Sequence, residues 1–171
     1  LGHCLDKPRS WLYTWPDAEL DSTVVARYTE LMSARTNGKP VAYLTGRRGF
    51  WTLNLQVNEH TLIPRPETEM LVEWALELPL PSAATVCDLG TGSGAIALSL
   101  ASEKPDWAVL GVDASEAALT VARRNAAELQ QGEVQFLHSN WYDGLPPRQF
   151  NLLISNPPYI EPGDAHLSQG D

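Results

Sequence analysis

Thr85-Val86-Cys87-Asp88-Leu89-Gly90-Thr91-Gly92-Ser93-Gly94-Ala95-Ile96 is a short apolar run, then glycines at alternate positions, then the opening of a helix-forming run. The run Thr85 to Leu89 predicts a buried strand. Glycines at 90, 92 and 94 let the backbone turn sharply and come close to a ligand with no Cβ in the way. The helix predicted from Ala95 to Ser102 then points its first N–H groups back at the loop. Gly90-x-Gly92-x-x-Ala95 formally fits a dinucleotide fingerprint, but that short match alone does not choose a ligand.

The pattern continues outward from this unit. Ala108 to Val112 reads as a second strand. Ser115 caps a helix running to about Leu129, and Val134 to His138 and Phe150 to Ser155 read as a third and a fourth strand. Strands alternating with helices of this length predict an α/β fold, a doubly wound, mostly parallel sheet of four strands with right-handed crossovers. Asp113 ends the second strand. A carboxylate there can accept both hydroxyls of a ribose, or it can cap the next helix. Trp141 follows the third strand, either as a ring to stack on an adenine or as a core aromatic.

Asn156-Pro157-Pro158-Tyr159 closes the fourth strand. Two prolines remove two backbone donors and fix two φ angles, and Pro157 pushes Asn156 out of the helical region. The corner offers an amide side chain, undonated carbonyls and an aromatic face. Those groups suit a planar –CO–NH2 or an amino-heterocycle, taking its N–H protons while the ring stacks on its plane. At the carboxyl edge of the sheet, the clamp should face the glycine loop across the switch point.

Residues 1–46 read as helical, with Val24, Tyr28, Leu31, Met32 and Arg35 on one face and Gly38 as a stop. Residues 47–63 are rich in β-formers and predict a hairpin. Pro66 suits the first turn of a helix whose apolar stripe would be Met70, Leu71, Trp74, Ala75 and Leu78. Charge is uneven: residues 1–60 hold 7 Lys and Arg against 6 Asp and Glu, and residues 61–171 hold 5 against 15, for the chain's net −9. An acidic main domain argues against non-specific binding to nucleic acid, which depends on neutralising phosphates. Cys4 and Cys87 make no disulfide or zinc pattern, and no metal site is expected. A reducing, cytoplasmic setting follows. No apolar run reaches the length of a membrane span. The opening Leu1-Gly2-His3-Cys4 has no initiator Met and no signal-peptide layout, which suggests a piece of a longer chain.

The string Asp88-x-Gly90-x-Gly92-x-Gly94 resembles motif I of class I S-adenosylmethionine methyltransferases. With the Asn156 corner, the chain resembles the HemK/PrmC family, N5-glutamine methyltransferases acting on the Gly-Gly-Gln glutamine of peptide-chain release factors. Pro40 to Gly46, Phe50-Trp51, Thr61-Leu-Ile-Pro-Arg-Pro-Glu67 and Ser155 to Ile160 carry that resemblance beside the loop. It implies a Rossmann-like methyltransferase sheet with a substrate-recruiting helical domain at 1–46, a β-hairpin linker at 47–63 and a methyltransferase domain at 64–171. It implies that Gly90, Thr91, Gly92, Ser93, Gly94, Asp113, Trp141 and Asn156 contact S-adenosylmethionine, which leaves as S-adenosylhomocysteine. Asn156, Pro157, Pro158 and Tyr159 would hold the glutamine, with Asn156, Pro157 and Tyr159 catalytic. It also implies that the family continues past Asp171 to finish the sheet. Gly49 and Asn140 stand where the family usually has acids. The alternative is an amino-methylase acting on adenine or guanine in nucleic acid, which shares the Asn-Pro-Pro-Tyr motif.

Overall fold

A computed structural model describes residues 1–157. Leu1–Thr45 form one compact unit, and the described residues from Gly46 to Pro157 belong to a second. The first unit is four helices: α1 (Gly2–Leu5), α2 (Arg9–Thr14), α3 (Ser22–Thr36) and α4 (Val41–Thr45). Asp21 starts α3 by accepting the Thr23 N–H at 2.8 Å, the usual role of a capping acid. Gly38 stops it with φ 90°, a conformation that costs glycine nothing. No residue of α3 is buried, and Tyr28 and Met32 of the predicted face are exposed.

The second unit opens with a hairpin, β1 (Arg47–Phe50) and β2 (Leu53–Gln56). It is shorter than the predicted 47–63 because its register ends at the Arg47–Gln56 pair. Phe50 and Leu55 anchor it in the core. Trp51 turns it with φ 54°, unusual for an aromatic residue. Two carboxylates hold that turn: Glu69 Oε1 accepts the Trp51 backbone N–H at 2.8 Å and Glu103 Oε1 its indole N–H at 2.7 Å.

Pro66–Thr68 form a single 3-10 turn that runs into α5 (Glu69–Glu77). The expected stripe on α5 is corrected in part by the structure. Ala75 is buried and Leu71 packs against the core, as expected, but Val72 is the other buried residue, and Met70, Trp74 and Leu78 are 49, 55 and 45% exposed. Apolar residues surround much of this helix, so periodicity alone cannot rank them.

The sheet contains β3 (Thr85–Leu89), β4 (Ala108–Asp113), β5 (Gln135–His138) and β6 (Leu152–Ser155), all parallel, in the order β5-β4-β3-β6. Helices α6 (Ala95–Glu103) and α7 (Glu116–Glu128) connect them. Side chains alternate along each strand. Val86 and Val109 enter the core with α6, and Cys87, Leu89, Leu110 and Val112 form a second cluster covered by Leu145 and Phe150. With β3 inside and the direction of winding reversed on its two sides, the loops after β3 and β6 lie side by side at the carboxyl edge. No helix among the described residues is long and apolar enough to cross a membrane.

Candidate functional site

The glycine loop is held at nearly every peptide. The Gly90 and Thr91 N–H groups both donate to the Val112 carbonyl at 2.9 Å, and Gly94 N–H donates to the Thr91 carbonyl at 2.8 Å. Gly90, Gly92 and Gly94 have φ of 74°, 56° and 84°, so each sits where an L side chain is strained. Gly111 on β4 is required for a different reason. A Cβ there would stand 2.8 Å from both Thr91 Oγ1 and Phe136 Cε1. Beneath the loop, Asp88 Oδ2 accepts from Thr91 Oγ1 at 2.6 Å and from Ala97 N–H at 3.3 Å.

Asp113 stands across the loop. Its Oδ2 accepts the Gly92 N–H at 2.9 Å and its Oδ1 the Ser115 N–H at 2.8 Å. Of the roles that sequence left open, the structure shows the capping one, at the turn into α7; the bond to Gly92 adds a brace on the loop that sequence did not give this residue. Each oxygen keeps a second acceptor position. Trp141 lies in a turn with φ 53°, its carbonyl accepting from the Ser139 hydroxyl at 2.8 Å. The same hydroxyl accepts Gly144 N–H at 2.9 Å, so buried Ser139 sets the turn that presents the indole.

These groups surround a cavity of about 350 Å3, lined by Gly90, Gly92, Asp113, Trp141, Asn156 and Pro157 among others. His60 and Leu62 also line it, to which sequence gave no ligand, and so does Asn140, which stands where the resemblance implies an acid near the adenine. Thr91, Ser93, Ala95 and Ile96 line a smaller neighbouring pocket that shares Gly90, Gly92, Leu62 and Asn156. Gly94 is in neither lining; it caps α6 in the left-handed conformation. The volume is of the size that takes a nucleoside-sized ligand. A carboxylate for ribose hydroxyls, an indole for a purine and the amides at the start of α6 for a carboxylate fit an amino-acid-bearing nucleoside such as S-adenosylmethionine.

Asn156 follows β6 and reaches the same cavity. Its Nδ2 donates to Thr68 Oγ1 at 3.1 Å. Thr68 is buried in the Pro66–Thr68 turn, so the Ile63–Glu67 segment and the Asn156 corner meet through this bond. Fixing the nitrogen end leaves Oδ1 as the acceptor end of the carboxamide. Thr68 was missed; the signal was a hydroxyl directly after the Pro-Arg-Pro-Glu string. Pro158 and Tyr159 lie outside the described residues.

Asp88 also went unassigned, as a motif letter without a role. It is fully buried and its Oδ1 has no hydrogen-bond partner. Burial raises its pKa from 3.8 to about 6, opposed by the Thr91 hydroxyl and the Ala97 N–H and helped by the Asp113 charge. A folded pKa above the unfolded one means that Asp88's contribution is intact below about pH 4 and is lost as pH rises through about 6. The loss is on the order of 3 kcal/mol. Asp88→Asn keeps an acceptor for Thr91 and Ala97 and carries no charge. In urea unfolding, the stability difference between variant and wild type should therefore shift toward the variant by that amount between pH 4 and 6.5. A difference independent of pH would show that Asp88 does not titrate in this window.

Residues 66–169 match the family described as methyltransferase small domain, and residues 1–46 match the PrmC N-terminal domain. The chain is 48% identical to the release factor glutamine methyltransferase of Shewanella oneidensis and 51% identical to that of Xylella fastidiosa strain Temecula1. Each match covers 100% of this chain, and 60% and 62% of those proteins. The Pseudomonas aeruginosa protein of the same name is 48% identical, with 62% of it covered. The chain thus spans about 60% of the length of the curated relatives it matches. Among solved structures, the Pyrococcus abyssi tRNA (uracil-54, C5)-methyltransferase in complex with S-adenosyl-L-homocysteine superposes with a TM-score of 0.53 at 22% identity. That match covers 66% of this chain and 28% of that one, a likeness of fold.

Proposed function

The chain belongs to the methyltransferase small-domain family, and from that premise we propose that it moves a methyl group from S-adenosylmethionine to the amide nitrogen of the glutamine in the Gly-Gly-Gln motif of release factors. The observation that carries the proposal is the Asn156 carboxamide, tethered through Nδ2 to Thr68 at the edge of the cavity that holds Asp113 and the glycine loop. Residues 1–46 would recruit the protein substrate, the 47–63 segment would join them to the rest, and 64–171 would carry the chemistry. The setting would be the cytoplasm, during translation termination, without direct contact to nucleic acid.

The cofactor supplies a methyl group on a positively charged sulfur. Gly90, Thr91, Gly92, Ser93 and Gly94 would bring backbone close to its amino-acid end, Asp113 would accept its ribose hydroxyls and Trp141 would flank its base. A glutamine amide nitrogen is a poor nucleophile because its lone pair is shared with the carbonyl. Asn156 Oδ1 and the Pro157 carbonyl would each accept one of its N–H bonds, which builds negative character on nitrogen and aims it. Tyr159 would stack on the amide plane, and Pro158 would keep the corner rigid. Positioning and fixed dipoles can supply this without a strong base; as the methyl–nitrogen bond formed and the methyl–sulfur bond broke, one N–H proton would be released along the accepting carbonyl to water.

The test is to incubate the intact protein with S-adenosylmethionine and purified bacterial release factor, then sequence the Gly-Gly-Gln peptide by mass spectrometry. One added methyl on the glutamine side chain is expected. Unmodified glutamine, with methyl transfer instead to rRNA or DNA offered in parallel, would overturn the reading in favour of the nucleobase acceptor.

A further inference from the structure

Asn125 lies inside α7, only 1% exposed, and all of its polar capacity goes to other elements. Its Oδ1 accepts the Gln56 N–H at 2.7 Å, and its Nδ2 donates to the Gln56 carbonyl at 3.1 Å and to the Ser93 carbonyl at 2.8 Å. Both amide protons are used. The carboxamide reads both peptide groups of Gln56, as a neighbouring strand would, at the last pair of the hairpin ladder. Its second proton leaves the hairpin for the glycine loop.

That second bond fixes a peptide plane. In the Ser93–Gly94 peptide the carbonyl is held by Asn125 and the N–H by the Thr91 carbonyl. Gly92 and Gly94 on either side have positive φ and little intrinsic preference, so the plane between them needs an outside restraint. With the Ser93 carbonyl turned into α7, it is kept from turning toward the pockets that Gly92 and Ser93 line. Gln56 leads directly into the segment whose His60 and Leu62 line the main cavity. One side chain therefore touches the base of two walls of the same cavity.

We propose that Asn125 is a positioning residue for the cofactor. It locks the Ser93–Gly94 peptide in its binding orientation and holds the glycine loop in register with the wall that continues from the hairpin. This rests on the reading that the loop holds S-adenosylmethionine. An asparagine is a mediocre helix former, and a buried one in the last turn of α7 has no reason within the helix. Its reason is the three bonds it makes outside the helix.

The test compares Asn125→Ala with Val121→Ala, a buried change on the same helix, at a temperature where circular dichroism shows both folded. Amide hydrogen exchange is read on the cofactor-free protein, and S-adenosylhomocysteine affinity by calorimetry. Asn125→Ala should speed exchange at Gly94 about tenfold and weaken affinity about tenfold, as expected for one or two lost hydrogen bonds. Val121→Ala should change each by less than about twofold if destabilisation alone has no such effect. If Asn125→Ala does not fold, Asn125→Asp keeps the shape and the acceptor for Gln56, removes the donors, and should move both readouts in the same direction. Values within twofold of wild type, or equal changes in Val121→Ala, overturn the proposal. If the wild type itself does not bind S-adenosylhomocysteine, the methyltransferase reading fails instead, and the exchange rates still decide whether Asn125 locks the loop.

Discussion

Asn156→Ala is expected to slow methyl transfer to release factor by about 10²–10³-fold, the cost of losing one aimed polar contact to the reacting group. Cofactor affinity should change far less, because Asp113, Trp141 and the glycine loop remain. The split matters more than the size. An interaction made mainly as nitrogen gains charge lowers kcat and kcat/KM together, whereas uniform binding raises KM alone. Thr68→Val sharpens the point. It keeps the volume beside Asn156 and removes only the oxygen that accepts from Nδ2. The carboxamide would then be free to turn, and part of the same kcat loss should appear with the protein otherwise intact. Wild-type turnover in Asn156→Ala would dispose of the clamp.

Asp113→Ala should weaken S-adenosylhomocysteine binding by about 10²–10⁴-fold in calorimetry. Hydrogen bonds to a charged acceptor contribute about 1.5–3 kcal/mol each, and two ribose hydroxyls would be lost. The geometry adds a second loss. Without Oδ2, the Gly92 N–H has no acceptor at 2.9 Å, and without Oδ1 the Ser115 N–H loses its own. The loop should loosen in the cofactor-free protein as well. Asp113→Asn, which keeps one acceptor oxygen and no charge, should fall between the two. Unchanged affinity in Asp113→Ala would remove the ribose from the account of this residue and leave it as a brace.

The parts of the fold that sequence revealed share one property: each is written in neighbouring residues. Alternating strand and helix lengths gave the parallel sheet, and the glycine spacing gave the loop. The placement of β6 beside β3 followed from the class of sheet. Local signals failed wherever a choice depended on a distant partner. On α5, Met70 and Trp74 share the apolar spacing of Ala75, and only packing leaves them exposed while Val72 is buried beside Ala75. Thr68 and Ser139 are ordinary hydroxyls until Asn156 and Trp141 arrive beside them. Asn125 meets Gln56 from 69 positions away. It falls in phase with the buried Ala118 and Ala122 of α7, so a polar residue on a core-facing row was the one local hint. The lone oxygen of Asp88 cannot be seen in a motif at all, since it depends on what does not reach it.

The bond between Asn156 and Thr68 spans 88 positions of chain, and that span orders assembly in time. Every group of the cofactor half, from Asp88 to Trp141, precedes β6 in a ribosome-made chain. The acceptor clamp joins a residue made before that half to one made after it. It closes only when β6 has paired with β3, so the entropy of closing the largest loop in the site is met last. On the proposed reading, a nascent chain that stops before Asn156 would carry the residues assigned to the methyl donor without the carboxamide assigned to the acceptor.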